Sequence, residues 1–396
     1  MSRVMGSLLS LRLLMAPRPR AVLALLALLL ILPTRAADRP PVGPAAGAPA
    51  HALIQLTGQP LSGGRSRGTV SLPLERAEGG HTPVLEFQVL SVVAAAGSGA
   101  NAASPGPVPR PSRQGARIRL LLDTGATSTM VTPELADRLS LQRRSLPPKA
   151  FALAGGGHGC ADLNPQRTRL PDLVLRDSAA PAGTAGLSLE GVEALVLPVR
   201  ALPAGVDGVL GAPSLRLLPI RIDPSLGRIA LGAAALDPLP YPLNSARGSA
   251  TSSANPAATP RSRPQRVPLW VPLWWHRGVP LLQLRTSVGP VRALADTGAE
   301  GLFLRPALAA RLQPLGPAQP LRLVGFCGEQ RVERRRFAGL GLGPGPGDAP
   351  GDVEGIVTDN PIFEQLGVEA ILGQELLHRQ RQLWRLDQTR PELLLW

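Results

Sequence analysis

Two aspartates in this sequence sit where a carboxylate is costly. Asp123 ends the apolar run of "LLLDTGATSTMV", residues 120–131, and Asp296 does the same in "ALADTGAEGLFL", residues 293–304. A lone charge beside apolar strand residues carries a large desolvation penalty. The same four residues, Asp-Thr-Gly-Ala, recur 173 residues apart, which suggests that each acid is the other's partner. Two close carboxylates cannot both ionise, so they hold one proton between them and titrate as a pair. Such a pair suits acid–base work on a water molecule. The ionised member accepts the water's proton, and the protonated member donates to an oxygen of the group under attack. The neighbouring residues fit this chemistry. Thr124 and Thr297 carry hydroxyls that can bond across to the opposite loop, and Gly125 and Gly298 let an amide N–H turn toward a carboxylate.

The elements that would position these acids also come in matched pairs. "DTGATSTMVTPELADRL" and "DTGAEGLFLRPALAARL" align without a gap and share a later Pro and a Leu-Ala-x-Arg-Leu ending. Upstream, "TPVLEFQVL" from Thr82 answers "VPLLQLRTS" from Val279. Downstream, "VDGVLG" at 206–211 answers "VEAILG" at 368–373, and "RIDPSLGRIAL" from Arg221 answers "RLDQTRPELLL" from Arg385. Four blocks in the same order imply a duplicated unit. Short apolar runs punctuated by Gly and Pro favour strands with few helices. Residues 133–139 and 306–312 read as short helices with Pro in the first turn. Two related β-barrel-like lobes facing across a pseudo-twofold axis would bring the acids together at the centre.

The rest of the chain frames that unit. Residues 1–36 read as a signal peptide: Arg3, Arg12, Arg18 and Arg20 precede a 12-residue apolar run at 21–32, then Pro33 and small residues near Ala36. The run is short for a membrane span of about 20 residues, so an uncleaved N-terminal anchor is the alternative. Either way the remainder is expected to be exported, periplasmic or secreted. Residues 37–50 read as a disordered spacer, 51–243 as an N-terminal lobe, 244–266 as a Ser/Ala/Pro/Arg linker and 267–396 as a C-terminal lobe. The formal charge of +14 comes almost wholly from arginine, Lys149 being the only lysine, scattered through apolar and loop segments alike. Without a run of stacking aromatics this argues against a nucleic-acid surface. No His/Cys/Asp cluster has metal-ligand spacing, so neither a metal nor a cofactor is expected.

The hydrophobic-hydrophobic-Asp-Thr-Gly-Ala loop, followed 88 residues later by the glycine of "VLG" and 77 residues later by that of "ILG", resembles the aspartic peptidases. Two copies in one chain resemble bilobed pepsin, while the DTGA wording resembles the homodimeric retropepsins. The nearest likeness is to bacterial single-chain retropepsin-like proteins. It covers about residues 80–240 and 267–396. The resemblance implies an all-β, bilobed acid-protease fold with the active site between the lobes. It also implies an endopeptidase that acts as a monomer on polypeptide substrates, with Asp123 and Asp296 catalytic and no metal. There are departures from the pepsin pattern. Ala126 and Ala299 stand where pepsins have Ser or Thr, and the only tyrosine, Tyr241, is far from any flap. Flap candidates are the glycine-rich stretches 152–163, with Gly155, Gly156 and Gly157, and 323–330, with Gly325 and Gly328. Each carries one cysteine, Cys160 and Cys327, which permits either free thiols or a latch between flaps. His158 reads as a solvated loop residue. The competing function is a non-catalytic bilobed peptide-binding protein that keeps the cleft.

Overall fold

The computed structural model describes residues 51–53, 56–89, 115–147, 151–153, 164–177, 186–199, 202–237, 268–325, 328–342 and 352–396. The signal segment, the spacer, the linker, Gly155, Gly156, Gly157, His158, Cys160, Cys327 and Tyr241 lie outside these residues. Among the described residues no helix is long and apolar enough to cross a membrane, and no cluster of side chains could hold a metal ion.

The described residues are mostly β-strand with five short α-helices among them, an all-β, acid-protease-like fold. The acid-bearing strand Arg117–Asp123 pairs antiparallel with Pro83–Val89 on one side and parallel with Gly208–Gly211 on the other. Gly208–Gly211 then pairs antiparallel with Thr129–Val131, which lies parallel to Glu193–Val196. The second acid follows the same plan. Gly289–Ala295 pairs antiparallel with Val279–Thr286 and parallel with Ala370–Leu372. Ala370–Leu372 pairs antiparallel with Leu302–Leu304, which lies parallel to Val353–Val357. The strands flanking the acids, Gly208–Gly211 and Ala370–Leu372, are buried along their whole length, which is why they read as unbroken apolar runs without alternation.

The acid strands themselves alternate. Leu120 and Leu122 enter one apolar cluster, while Leu121 enters another with Ala126 and Met130. Ala293 and Ala295 enter the larger cluster, and Leu294 enters a third with Ala299. Each acid strand is therefore held on both faces by apolar packing, the period-two pattern of a central strand.

Both halves of the chain meet in a six-stranded antiparallel sheet. Its order is Leu269–Pro272, Glu392–Leu395, Gln382–Arg385, Ile220–Asp223, Arg228–Leu231, Val70–Pro73. The junction is the register Ile220↔Trp384, Arg221↔Leu383, Ile222↔Gln382. Trp384 is fully buried there, and Trp270 packs on the cluster formed by Leu383 and Leu394 with Ala230 and Ala235. The helix after each acid loop differs in length for a local reason. Thr132 caps Pro133–Arg138 by accepting from the Leu135 N–H at 3.2 Å. Arg305 makes no such bond, and its helix spans only Pro306–Ala309.

Candidate active site

Asp123 and Asp296 leave the ends of their strands and come together between the two halves, both fully buried. A β-carbon placed on Gly125 would stand 2.5 Å from Cγ of Asp296, and one on Gly298 would stand 2.3 Å from Cγ of Asp123. Each loop's glycine thus lies against the other loop's carboxylate, and only a residue without a side chain permits that approach.

The loops grip each other through their threonines. Thr124 Oγ1 donates to the Ala295 carbonyl at 2.7 Å and accepts from the Thr297 N–H at 3.0 Å. Thr297 Oγ1 donates to the Leu122 carbonyl at 2.7 Å and accepts from the Thr124 N–H at 3.0 Å. All four bonds cross between halves. They fix the separation of the acids without using the acids.

Backbone amides hold the inner carboxylate oxygens. Oδ1 of Asp123 accepts from Gly125 N at 2.8 Å and Ala126 N at 3.0 Å, and Oδ1 of Asp296 accepts from Gly298 N at 2.8 Å and Ala299 N at 3.2 Å. A hydroxyl at position 126 is therefore not needed for these bonds. As a carboxylate, Oδ2 of Asp123 would find no donor. A proton held between the two acids would supply the missing bond. Burial is the largest cause pushing the Asp123 carboxyl well above the usual carboxylate range; the neighbouring Asp296 charge and the bond to Asp296 add to it, against the two amides.

Two further side chains complete the surroundings, and the sequence reading missed both. Gln374 is buried and its Nε2 donates to the Thr297 carbonyl at 2.8 Å. Glu300 accepts from His81 N at 2.8 Å, Thr82 N at 2.9 Å and Thr82 Oγ1 at 2.5 Å, which ties the second acid loop to the turn before Pro83–Val89. Their signal was the mismatch between matched blocks: Glu300 answers Thr127, and Gln374 answers Ala212. Of the flap candidates, Gly325 and Gly328 face each other across the hairpin of Gln319–Gly325 and Gly328–Phe337. They are not in the acid loops themselves.

The fold and this pair of acid loops define a chain of acid-protease-like class. Residues 112–214 match the family described as aspartyl protease, a stretch that holds Asp123 and the strand Gly208–Gly211. This match supports an aspartic protease family. No curated protein matches the chain. Among solved structures the chain is similar to basic 7S globulin from soybean, with 11% identity, 84% of this chain and 95% of that one covered, and a TM-score of 0.38. It is also similar to conglutin gamma from lupine seeds, at 11% identity over 82% and 94% with a TM-score of 0.39. A retropepsin-like aspartic protease from Rickettsia conorii is similar at 14% identity over 33% of this chain and 96% of that one, with a TM-score of 0.21.

Proposed function

We propose that this chain is an exported, single-chain aspartic endopeptidase of two duplicated lobes, working as a monomer without metal or cofactor. The observation that carries the reading is the buried Asp123–Asp296 pair, each acid clamped by its own loop amides and set against the other loop's glycine. With one proton between them, the ionised acid removes a proton from a bound water as its oxygen attacks the carbonyl carbon of a peptide bond. The protonated acid donates to the carbonyl oxygen, giving a neutral gem-diol. Collapse of that diol breaks the C–N bond; a proton passes to the leaving nitrogen, and the pair regains its single proton. Thr124 and Thr297 position the acids and touch no substrate.

The test is cleavage of a mixed peptide pool by the purified exported chain between pH 3 and 7, read by mass spectrometry. Internal cleavage is expected, strongest at acidic pH and lost in Asp123→Asn and in Asp296→Asn. Equal cleavage by either variant would refute the reading. Saturable peptide binding with no turnover anywhere in that range would place the chain among non-catalytic peptide binders.

A further inference from the structure

The Leu-Ala-x-Arg-Leu ending that the two matched blocks share takes no part in the acid chemistry. Its arginines are Arg138 and Arg311, each at the same distance in sequence behind its acid. Both meet an acidic residue that stands just before the strand flanking the acid. Arg138 Nη2 donates to Asp207 Oδ1 at 2.7 Å, and Arg311 pairs with Glu369. The backbones of Asp207 and Glu369 are used alike. Asp207 N donates to the Arg119 carbonyl at 2.8 Å and Glu369 N to the Arg292 carbonyl at 3.0 Å. Thr132 N donates to the Asp207 carbonyl and Arg305 N to the Glu369 carbonyl, both at 2.9 Å. Each acidic residue therefore joins three elements: the acid strand, the strand beside it and the segment after the acid loop. In the first half the carboxylate adds a further tie, for Asp207 Oδ2 accepts from Arg119 N at 2.9 Å.

The flanking strands need such a tie, because their own side chains do not set their register. Val209 and Leu210 are both buried in apolar clusters, and so are Ile371 and Leu372. A slip by one residue exchanges one apolar side chain for another, and burial alone does not forbid it. The acid loops do forbid it. Gly211 stands in register with Asp123, and a β-carbon there would lie 2.6 Å from the Ser128 carbonyl oxygen and 2.9 Å from that of Ala126. A β-carbon on Gly373 would lie 2.3 Å from the Ala299 carbonyl oxygen. A slip would bring Leu210 or Ala212 against the first loop, and Leu372 or Gln374 against the second. We propose that the Arg138–Asp207 and Arg311–Glu369 pairs are register locks, positioning residues that seat Gly211 and Gly373 against the acid loops and thereby hold Asp123 and Asp296 in place. Both arginines are about half exposed, so the pairs contribute little to stability. Their effect is on which of two apolar registers the strand adopts, a role well attested for ionic groups beside a core. The proposal rests on the peptidase reading only in its kinetic arm.

The experiment replaces Asp207 and Arg138 by alanine, singly in the full chain, with Arg138→Lys as the conservative variant. Lysine suffices because Arg138 reaches Asp207 through one nitrogen. Near-UV circular dichroism shows whether each variant is folded. The first readout is the titration of Asp123, followed by NMR of chains labelled with carbon-13 at the aspartate carboxyls and assigned with Asp123→Asn. In the parent it should lie above the usual carboxylate range. Both alanine variants should lower it by about one pH unit or more, because acids that drift apart no longer share a proton. Arg138→Lys should stay close to the parent. Removing a negative and a positive charge would shift Asp123 in opposite directions through their fields alone, so a fall in both variants reports displacement. The second readout is turnover, where kcat should drop about tenfold or more with KM little changed. An unmoved titration in both alanine variants, shifts of opposite sign, or an ordinary titration in the parent would overturn the proposal. So would a lower stability with neither readout changed. Arg138→Ala decides if Asp207→Ala does not fold, and its own failure to fold would overturn the proposal, since a register lock adds little stability. A parent that cleaves nothing while both titrations fall refutes the peptidase and keeps this proposal. Cleavage and titration alike unmoved by either variant do the reverse.

Discussion

Replacing Thr124 by valine tests how the acid pair is held. Valine keeps the shape of threonine and removes the hydroxyl. Two bonds go: the donation to the Ala295 carbonyl at 2.7 Å and the acceptance from the Thr297 N–H at 3.0 Å. Both partners are buried, so no water replaces what is lost. A buried donor or acceptor left unsatisfied costs about 1–3 kcal/mol. With one of each, the expected loss is roughly 2–6 kcal/mol, a large part of the 5–15 kcal/mol that holds a typical domain. Thr124→Ser keeps the hydroxyl and drops one methyl, which costs about 1 kcal/mol. Urea unfolding gives the comparison. Intrinsic tryptophan fluorescence can follow it, since Trp384 is fully buried where the two halves join. Thr297→Val should match Thr124→Val, because its bonds are the reciprocal pair. The double variant should cost less than the sum, since either change frees both loops. A valine variant within about 0.5 kcal/mol of the parent, or a serine variant as damaged as the valine one, would refute the reasoning.

Other expectations follow from the same geometry. The Asp123 carboxyl keeps its proton in the folded chain after the unfolded chain has released it. Its contribution to stability is therefore full below about pH 4 and is lost as pH rises toward the raised folded value. Asp123→Asn should flatten that part of the melting-temperature profile while abolishing cleavage; a profile as steep as the parent's would contradict the raised value. Gly125→Ala puts a β-carbon 2.5 Å from Cγ of Asp296. It should cost about 1–3 kcal/mol and, by displacing the acids, about a hundredfold in turnover, read by melts and steady-state rates. Glu300→Ala removes the acceptor of three bonds to residues 81–82 and should lower stability by about 1–3 kcal/mol in urea titrations, with Glu300→Gln falling between it and the parent.

Much of the fold was legible because it is written locally. The apolar runs at 120–122 and before Gly211 and Gly373 mark central strands from neighbours alone. The strand pairing was less legible. An apolar run such as Gly208–Gly211 fits a parallel or an antiparallel neighbour equally well, and here it has one of each. Residues 51–58 show the limit. Their partners lie about 100 and 270 residues further along the chain, at 151–153 and 323–325, and nothing in their own composition points there. The acids, threonines and glycines of the candidate site could be read from the repeated loop. Glu300 and Gln374 were hidden because attention to what two blocks share passes over where they differ.

Gln374 has a consequence of its own. The backbone around the two loops is closely matched: Ala212 N donates to the Ala126 carbonyl at 2.9 Å, and Gln374 N donates to the Ala299 carbonyl at 2.8 Å. Only the second site then adds a side-chain amide beneath Thr297. A dimer of identical subunits must place every change on both sides of its axis at once. A single polypeptide carrying both loops is free of that constraint, and one amide on one side is enough to make the two acids inequivalent. Which of them surrenders its hydrogen first can then be a heritable property of a single codon.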